Sequence, residues 1–223
     1  MTDGPSTATG GGTGGLSPEE SLALIGAQRR ATRRALEIDD RLLYGAWGIA
    51  WVVAYGITYL VYGADPSDPS GPVWLVGVVW PVAIGAALLV TFLHVHRRRA
   101  GVAEQVSGTL YGLAHMIAIA GAGLTGGLLP TLLPTVDPAF ASIAPSAFIV
   151  LAIATIYLVS GAVWGDRLQF GVGAWLVLVN ALSLMSGTDT YTLGMAVGGG
   201  GGFLVAALLA WLRDRSAEAA PAR

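Results

Sequence analysis

Three histidines are the side chains within the long apolar runs of this sequence that suit proton transfer or metal binding. His94 and His96 directly precede Arg97, Arg98 and Arg99, and this position favours polar anchoring at the edge of a membrane. Because residues two apart on a helix point to different sides, His94 and His96 are not expected to share one metal ion.

His115 has a different setting, because it belongs to a row of small residues. The row follows three- and four-residue steps along one helix face: Gly108, Gly112, His115, Ala118, Ala122 and Gly126, with Ile119 at its edge. Small residues mark the sides on which membrane helices approach closely, so we expect His115 to face the interior of a bundle. Three roles stay open: a structural histidine bonded to a neighbouring helix, a proton-coupled or ligand-binding group, and a metal ligand together with His94.

Two further features suit a binding site in an apolar bundle. Asn180 lies within an apolar run and needs a hydrogen-bonding partner, either on another helix or on a substrate. Gly198 to Gly202 are five consecutive glycines. Either another helix packs closely on them, for which the glycines of residues 121–127 offer a matching surface, or the helix unwinds and exposes carbonyls to a cavity. The candidate binding residues are therefore His115, Asn180, Gly198 and Gly202.

The elements that carry these residues are predicted to be membrane-spanning helices. Of all residues, 54% are hydrophobic and 12% are charged, whereas soluble domains carry roughly 25% charged residues. Six apolar runs are each long enough to cross a bilayer, at residues 42–62, 73–96, 106–129, 146–164, 168–185 and 191–212. The prolines of residues 65–72 and 130–145 predict turn-rich connections. The predicted fold is an all-α polytopic bundle of six transmembrane helices.

The basic residues indicate how this bundle is oriented. All 12 are arginines, and they lie before the first run or after the second, fourth and sixth. Since cytoplasmic loops hold an excess of Lys and Arg, both termini are expected in the cytoplasm, the tail being residues 213–223. The arginines expected at the membrane surface are Arg29, Arg30, Arg33, Arg34, Arg97, Arg98 and Arg99, so the lipid bilayer is the expected partner and nucleic acid is not.

A shorter helix is predicted before the first span. Residues 1–16 are rich in Gly, Thr and Ser and are expected to be disordered. Ser17, Pro18 and Glu20 form a capping box that opens a cytoplasmic or interfacial helix over residues 17–41. The helix either lies on the membrane surface with its arginines at anionic headgroups or is a solvated leader that only sets orientation.

Several residue types and motifs that carry out catalysis or bind metals are missing from the sequence of the spans. The spans contain no Asp, Glu, Lys or Arg, and the chain has no cysteine and no H-E-x-x-H pattern. We therefore expect no catalytic site, no metal and no cofactor.

The segment from Ala27 to Trp51, AQRRATRRALEIDDRLLYGAWGIAW, resembles the start of uncharacterised multi-span membrane proteins of high-GC Gram-positive bacteria. This resemblance implies a bacterial inner membrane and supplies no active site. The order of elements is also similar to that of permease subunits of ATP-binding-cassette exporters, but the short turn at residues 186–190 stands where those permeases carry re-entrant structure.

Two functions follow as expectations. The first is a small transporter or permease component for an uncharged or weakly polar solute. The alternative is a non-catalytic membrane partner or sensor that acts through the arginine-rich helix. Either one is compatible with a homo-oligomer or with another membrane subunit as partner.

Overall fold

The protein consists of helices joined by short turns in the part of the chain that its computed structural model describes, which is residues 17–36, 39–63, 70–99 and 106–219. The elements in these ranges are α1 (Pro18–Leu36), α2 (Asp40–Tyr62), α3 (Val73–Arg99), α4 (Val106–Leu132), α5 (Pro138–Trp164), α6 (Arg167–Met185), α7 (Thr188–Gly194), a π-helical segment (Met195–Gly200) and α8 (Gly201–Ala219). The predicted disorder of residues 1–16 lies outside the described residues.

Six helices in the described ranges are long and apolar enough to cross a membrane. Five of them are α2 to α6, and the sixth is the continuous helix formed by α7, the π-helical segment and α8. The all-helical class and the six candidate spans are therefore confirmed, and they support a multi-pass membrane protein.

Helix α1 belongs to one compact unit, and the remaining helices form a second unit. The capping box that opens α1 is confirmed. The Ser17 N–H donates to Glu20 Oε2 over 2.8 Å, and the Glu20 N–H donates to Ser17 Oγ over 3.1 Å. Leu22, Leu24 and Ile25 on α1 are exposed.

Helix α1 is shorter than the helix predicted over residues 17–41, since it ends at Leu36 and Asp39 caps the next helix. The Asp39 carboxylate accepts hydrogen bonds from the Arg41 and Leu42 N–H groups. A side-chain acceptor at this position satisfies N–H groups that a helix cannot pair internally, which explains why α2 starts anew there.

The connection predicted over residues 130–145 is wrong in length, because helices occupy most of it. Helix α4 continues through Pro130 to Leu132, and α5 begins at Pro138 rather than at residue 146. Asp137 caps α5 through the Ala139 N–H, and Pro138 takes the first helical position, where its missing N–H costs nothing.

A cluster of aromatic rings fills the centre of the six-helix unit. The rings come from three helices: Tyr44, Trp51 and Tyr55 on α2, Tyr157 on α5 and Phe203 on α8. The centroid of Phe203 lies 5.2 Å from that of Trp51 and 5.9 Å from that of Tyr157. In the described residues α2 and α5 have no close backbone contact, so these side chains separate them. Among the described helices, α3 has close backbone contacts only with α2, and α4 only with α5.

The helix of the sixth span continues through the glycine run, but part of the run is π-helical instead of α-helical. Met195 to Gly200 are π-helical, and α7 and α8 continue the helix on either side. A Cβ atom at Gly200 would lie 2.7 Å from Val52, and one at Gly198 would lie 2.7 Å from Val179. The glycines therefore allow close packing on α2 and α6.

Candidate functional site

Charged groups gather at the end of the bundle where α2 begins and α3 and α8 end, which we call the arginine end. Arg41 pairs with Asp39 over 2.9 Å and with Asp214 over 3.4 Å. The Arg41 guanidinium hydrogen-bonded to Asp39 holds the pKa of that carboxyl below its usual range. The Asp39 N–H donates to His94 Nε2 over 3.0 Å. Half-buried His94 thus joins two helix ends, whereas His96 is exposed and stacks on Phe92.

A cavity of about 570 Å³ lies at the opposite end of the bundle. The end of α2 and the starts of α3, α5 and α7 border it, and every lining side chain among the described residues is uncharged. Aromatic and hydroxyl side chains supply its polar groups: Tyr55, Tyr62, Trp80, Tyr191, Thr58, Ser142, Ser146, Thr188 and Thr192. Concave sites with apolar walls and a few polar groups are the usual form of a small-molecule site, so this cavity is the candidate functional site.

Two hydrogen-bonded groups span the inner wall of the cavity. The Tyr55 and Ser146 hydroxyls lie 2.6 Å apart and connect α2 with α5. The Trp80 Nε1–H donates to Thr58 Oγ1 over 3.0 Å, and Thr58 donates to the Ala54 carbonyl over 2.7 Å. These bonds orient the wall side chains before any ligand arrives.

Asn180 lies behind this wall and is 5% exposed. Its Nδ2 donates to the Ala147 carbonyl over 3.1 Å, and its Oδ1 accepts from the Tyr191 hydroxyl over 2.9 Å. Asn180 thus ties α6 to α5 and α7, and reaches the cavity only through Tyr191. A hydrogen bond to another helix was one of the two predicted roles of Asn180, and both of these bonds are interhelical.

Three hydroxyls of the cavity make no hydrogen bond within the described part of the chain. They belong to Tyr62 on α2 and to Thr188 and Thr192 on α7, and all three side chains are partly exposed. Since a hydroxyl both donates and accepts, these groups can bind a polar solute at the mouth.

His115 lies away from the cavity, on the side of α4 that packs against α5. Its Nδ1 bonds to the Tyr111 carbonyl over 2.9 Å, and its ring centroid lies 4.2 Å from that of Tyr111. The partner is therefore in its own helix and not in a neighbour. Because α3 and α4 make no contact in the described residues, His94 and His115 are not brought together.

The small-residue row around His115 is only partly the packing face of α4. Gly126 is buried against Pro145, but Gly112 and Ala118 are exposed and Ile119 is half-buried. The large ring of Tyr111, which the spacing pattern left out, makes the contact with α5 by bonding to Ser160.

Gly198 and Gly202 do not line the cavity, and the predicted partner of their run was wrong. Helix α4, which carries the glycines at 121–127, has no described contact with the sixth span. The run packs instead on α2 and α6, where Trp175 Nε1 donates to the Gly198 carbonyl over 2.9 Å.

The predicted membrane-surface arginines divide into two groups. Arg97 is exposed at the arginine end. The side chains of Arg29, Arg30, Arg33, Arg34, Arg98 and Arg99 lie outside the described residues.

Sequence reasoning missed the residues that line the cavity. Tyr55, Thr58 and Tyr62 are three and four residues apart, and Ser142 and Ser146 are four apart, so each set shares a helix face. That spacing was the signal from which a shared lining could have been predicted. It was not decisive, because tyrosines near the ends of spans also fit an aromatic belt at the membrane interface.

Comparison with protein-family models, with curated proteins and with solved structures finds no match for this chain. The described residues form six candidate membrane spans and a cavity with uncharged lining side chains at one end of the bundle.

Proposed function

We propose that the protein is a small transporter or permease component that binds an uncharged or weakly polar solute in the cavity between α2, α3, α5 and α7. The observation that carries this proposal is a cavity of about 570 Å³ within the candidate spans, where every lining side chain that the structure describes is uncharged. A charged solute would meet no counter-charge among these described lining residues, and burying an unpaired charge is costly. The hydroxyls of Tyr62, Thr188 and Thr192, which make no hydrogen bond within the described residues, supply polar contacts for a neutral solute.

The same proposal assigns a location and an orientation. The arginine end faces the cytoplasm of a bacterial cell with this protein in its inner membrane, because arginine-rich segments are retained on that side. The cavity then opens on the outer side. The exposed apolar faces of α3 and α4 contact lipid or another membrane subunit, which includes a second copy of the chain.

Osmotic re-swelling of proteoliposomes tests the transport function without a labelled substrate. Vesicles shocked with glycerol or butane-1,4-diol shrink and re-swell as the solute enters, and light scattering follows the rate. We expect the protein to accelerate re-swelling over protein-free vesicles.

Thr192→Trp should abolish this acceleration, because the indole fills the cavity. Leu193→Trp is the matched control, since Leu193 is 39% exposed and does not line the cavity. Equal rates for all vesicles would contradict transport of these solutes.

A second function, that of a non-catalytic membrane partner or sensor, is favoured by α1. This helix forms its own unit and exposes Leu22, Leu24 and Ile25, which suits a surface for another molecule. Removing residues 17–36 separates the two functions, because transport through the cavity should continue without α1, whereas signalling through it should stop.

A further inference from the structure

The helices around the cavity form a horseshoe instead of a closed ring. Among the described residues α3 contacts α2, α2 contacts α7, and α7 contacts α5. The fourth pair, α3 and α5, has no close backbone contact there, although both helices supply lining side chains. Helix α4 does not join them, because its described residues neither contact α3 nor line the cavity. We call this open side the α3–α5 gap, with Val76 and Trp80 lining it from α3 and Pro145 and Ile149 lining it from α5.

The α3–α5 gap reaches the depth of the hydrocarbon core. Trp80 lies seven residues after Val73, where α3 begins, and Ile149 lies eleven residues after Pro138, where α5 begins. At a rise of about 1.5 Å per residue, these two positions are about 10 and 16 Å inside the helix ends. One leaflet of a hydrocarbon core about 30 Å thick is about 15 Å deep. The gap therefore faces the acyl chains of one leaflet.

The gap and the mouth of the cavity differ in their chemistry. Three of the four gap residues have purely hydrocarbon side chains, and the fourth, Trp80, has its N–H paired with Thr58. The mouth hydroxyls instead lie near helix ends, since Tyr62 ends α2 and Thr188 begins α7. The cavity thus offers an apolar wall at the depth of acyl chains and polar groups at the depth of headgroups.

We propose that the solute is a neutral amphiphile that enters from the bilayer through the α3–α5 gap. Its apolar chain lies against the gap, and its hydroxyl- or amide-bearing head binds at the mouth hydroxyls. A phosphate-bearing head is disfavoured, because the described lining side chains offer it no counter-charge. This inference rests on the proposed function, since it names the solute class and the entry path of the same cavity. A monoacylglycerol is a simple compound of this class.

Photo-crosslinking with a monoacylglycerol that carries a diazirine in its acyl chain tests this inference. The full-length protein in phosphatidylcholine nanodiscs is irradiated with the probe, and peptide mass spectrometry identifies the labelled residues. The measurement is repeated with excess monooleoylglycerol as competitor. Labelling of Val76 and Ile149 should fall about tenfold at a competitor concentration about ten times its Kd, because a site can be saturated.

Probe in the surrounding lipid labels the outer faces of the bundle as well, and this background has its own reporters. Leu89 on α3 and Leu113 on α4 are exposed and do not line the cavity. Their labelling should not change with the competitor, because contact with bulk lipid is not saturable. Equal loss at these leucines and at the gap residues would overturn the inference.

A substitution in the gap tests the entry path. Val76→Trp places an indole between α3 and α5 and should remove the displaceable labelling of Ile149. Val78→Trp is the matched control, because Val78 is exposed on the same helix and does not line the cavity. Both variants should elute from size exclusion as the unsubstituted protein does. Equal displaceable labelling in the two variants would overturn entry through the gap, and displacement in the unsubstituted protein tests binding of the amphiphile without either variant.

The two proposals fail in distinguishable ways. If the competitor displaces no label from the unsubstituted protein, the neutral amphiphile is overturned as the solute. Glycerol re-swelling that Thr192→Trp abolishes would then still support the cavity as a site for small solutes. If no label is displaced and re-swelling does not depend on the protein, the proposed function is overturned together with this inference.

Discussion

At the scale of single residues, Asn180 holds one side chain of the cavity wall, that of Tyr191, in place. An amide buried to 5% exposure in an apolar bundle must satisfy its donors and acceptor within the protein. It does so with one backbone carbonyl and one tyrosine hydroxyl, and the carbonyl decides which way the amide points. The need for a partner could be predicted from the sequence. The identity of that partner could not, because Tyr191 lies on another span and its position depends on how the spans pack.

Removing the Tyr191 hydroxyl should destabilise the protein. In Tyr191→Phe, Asn180 Oδ1 loses its partner while it stays buried, and an unsatisfied group of this kind costs about 1–3 kcal/mol. The free energy of unfolding in detergent measures the loss. Tyr62→Phe is the control, because the Tyr62 hydroxyl makes no hydrogen bond in the described residues and its loss should be nearly neutral.

The double variant Tyr191→Phe/Asn180→Leu distinguishes an unsatisfied amide from a packing defect. Replacing both partners by apolar groups removes the unpaired acceptor, so the double variant should be more stable than Tyr191→Phe alone. If the double variant loses as much free energy of unfolding as Tyr191→Phe and Asn180→Leu together, the hydrogen bond between Tyr191 and Asn180 contributes little to stability.

At the scale of the elements, the spans were predictable and their contacts were not. An apolar run of sufficient length predicts a spanning helix whatever it packs against, and the capping box at Ser17 predicts the start of α1 from local residues alone. The start of α5 was missed because Pro138 and Pro145 suggested a turn, although proline is well suited to the first position of a helix. The partners of the glycine run and the cavity between helices are properties of packing, which spacing patterns do not contain.

Within the glycine run, neighbouring positions should respond differently to the same change. Gly200→Ala places a Cβ atom 2.7 Å from Val52, so α2 and the sixth span must move apart, at a cost of about 1–3 kcal/mol. Gly201→Ala meets nothing within 4 Å and should be neutral or stabilise by up to about 1 kcal/mol through helix propensity. The melting temperatures of the two variants in detergent make the comparison. Equal effects would show that the run does not pack as closely as described.

At the scale of the whole molecule, the described basic residues and the cavity lie at opposite ends of the six-helix unit. Arg41, Asp39 and Asp214 meet at one end, and the uncharged cavity lies at the other. If arginine retention sets the orientation, the cavity faces away from the cytoplasm. The orientation is therefore a prediction about the side from which a solute enters.

Single introduced thiols test this orientation, because the chain contains no cysteine. Ser142 lines the cavity and Ser216 lies in the last turn of α8 at the arginine end, and both are exposed. In intact cells a charged, impermeant thiol reagent should label Ser142→Cys, whereas Ser216→Cys should react only after the membrane is permeabilised. The unsubstituted chain is the blank. The reverse labelling pattern would place the arginine end outside.

The π-helical segment also sets the angular phase between the two halves of the sixth span. An α-helix turns about 100° per residue, and a π-helical turn takes up roughly one residue more than an α-helical turn. Restoring α-helical geometry with the same number of residues would therefore rotate Tyr191 by about 100° relative to Phe203. Tyr191 would turn away from Asn180 while Phe203 kept its place among the rings. The number of residues in the run, together with its π-helical geometry, therefore lets Tyr191 face Asn180 while Phe203 packs among the aromatic rings.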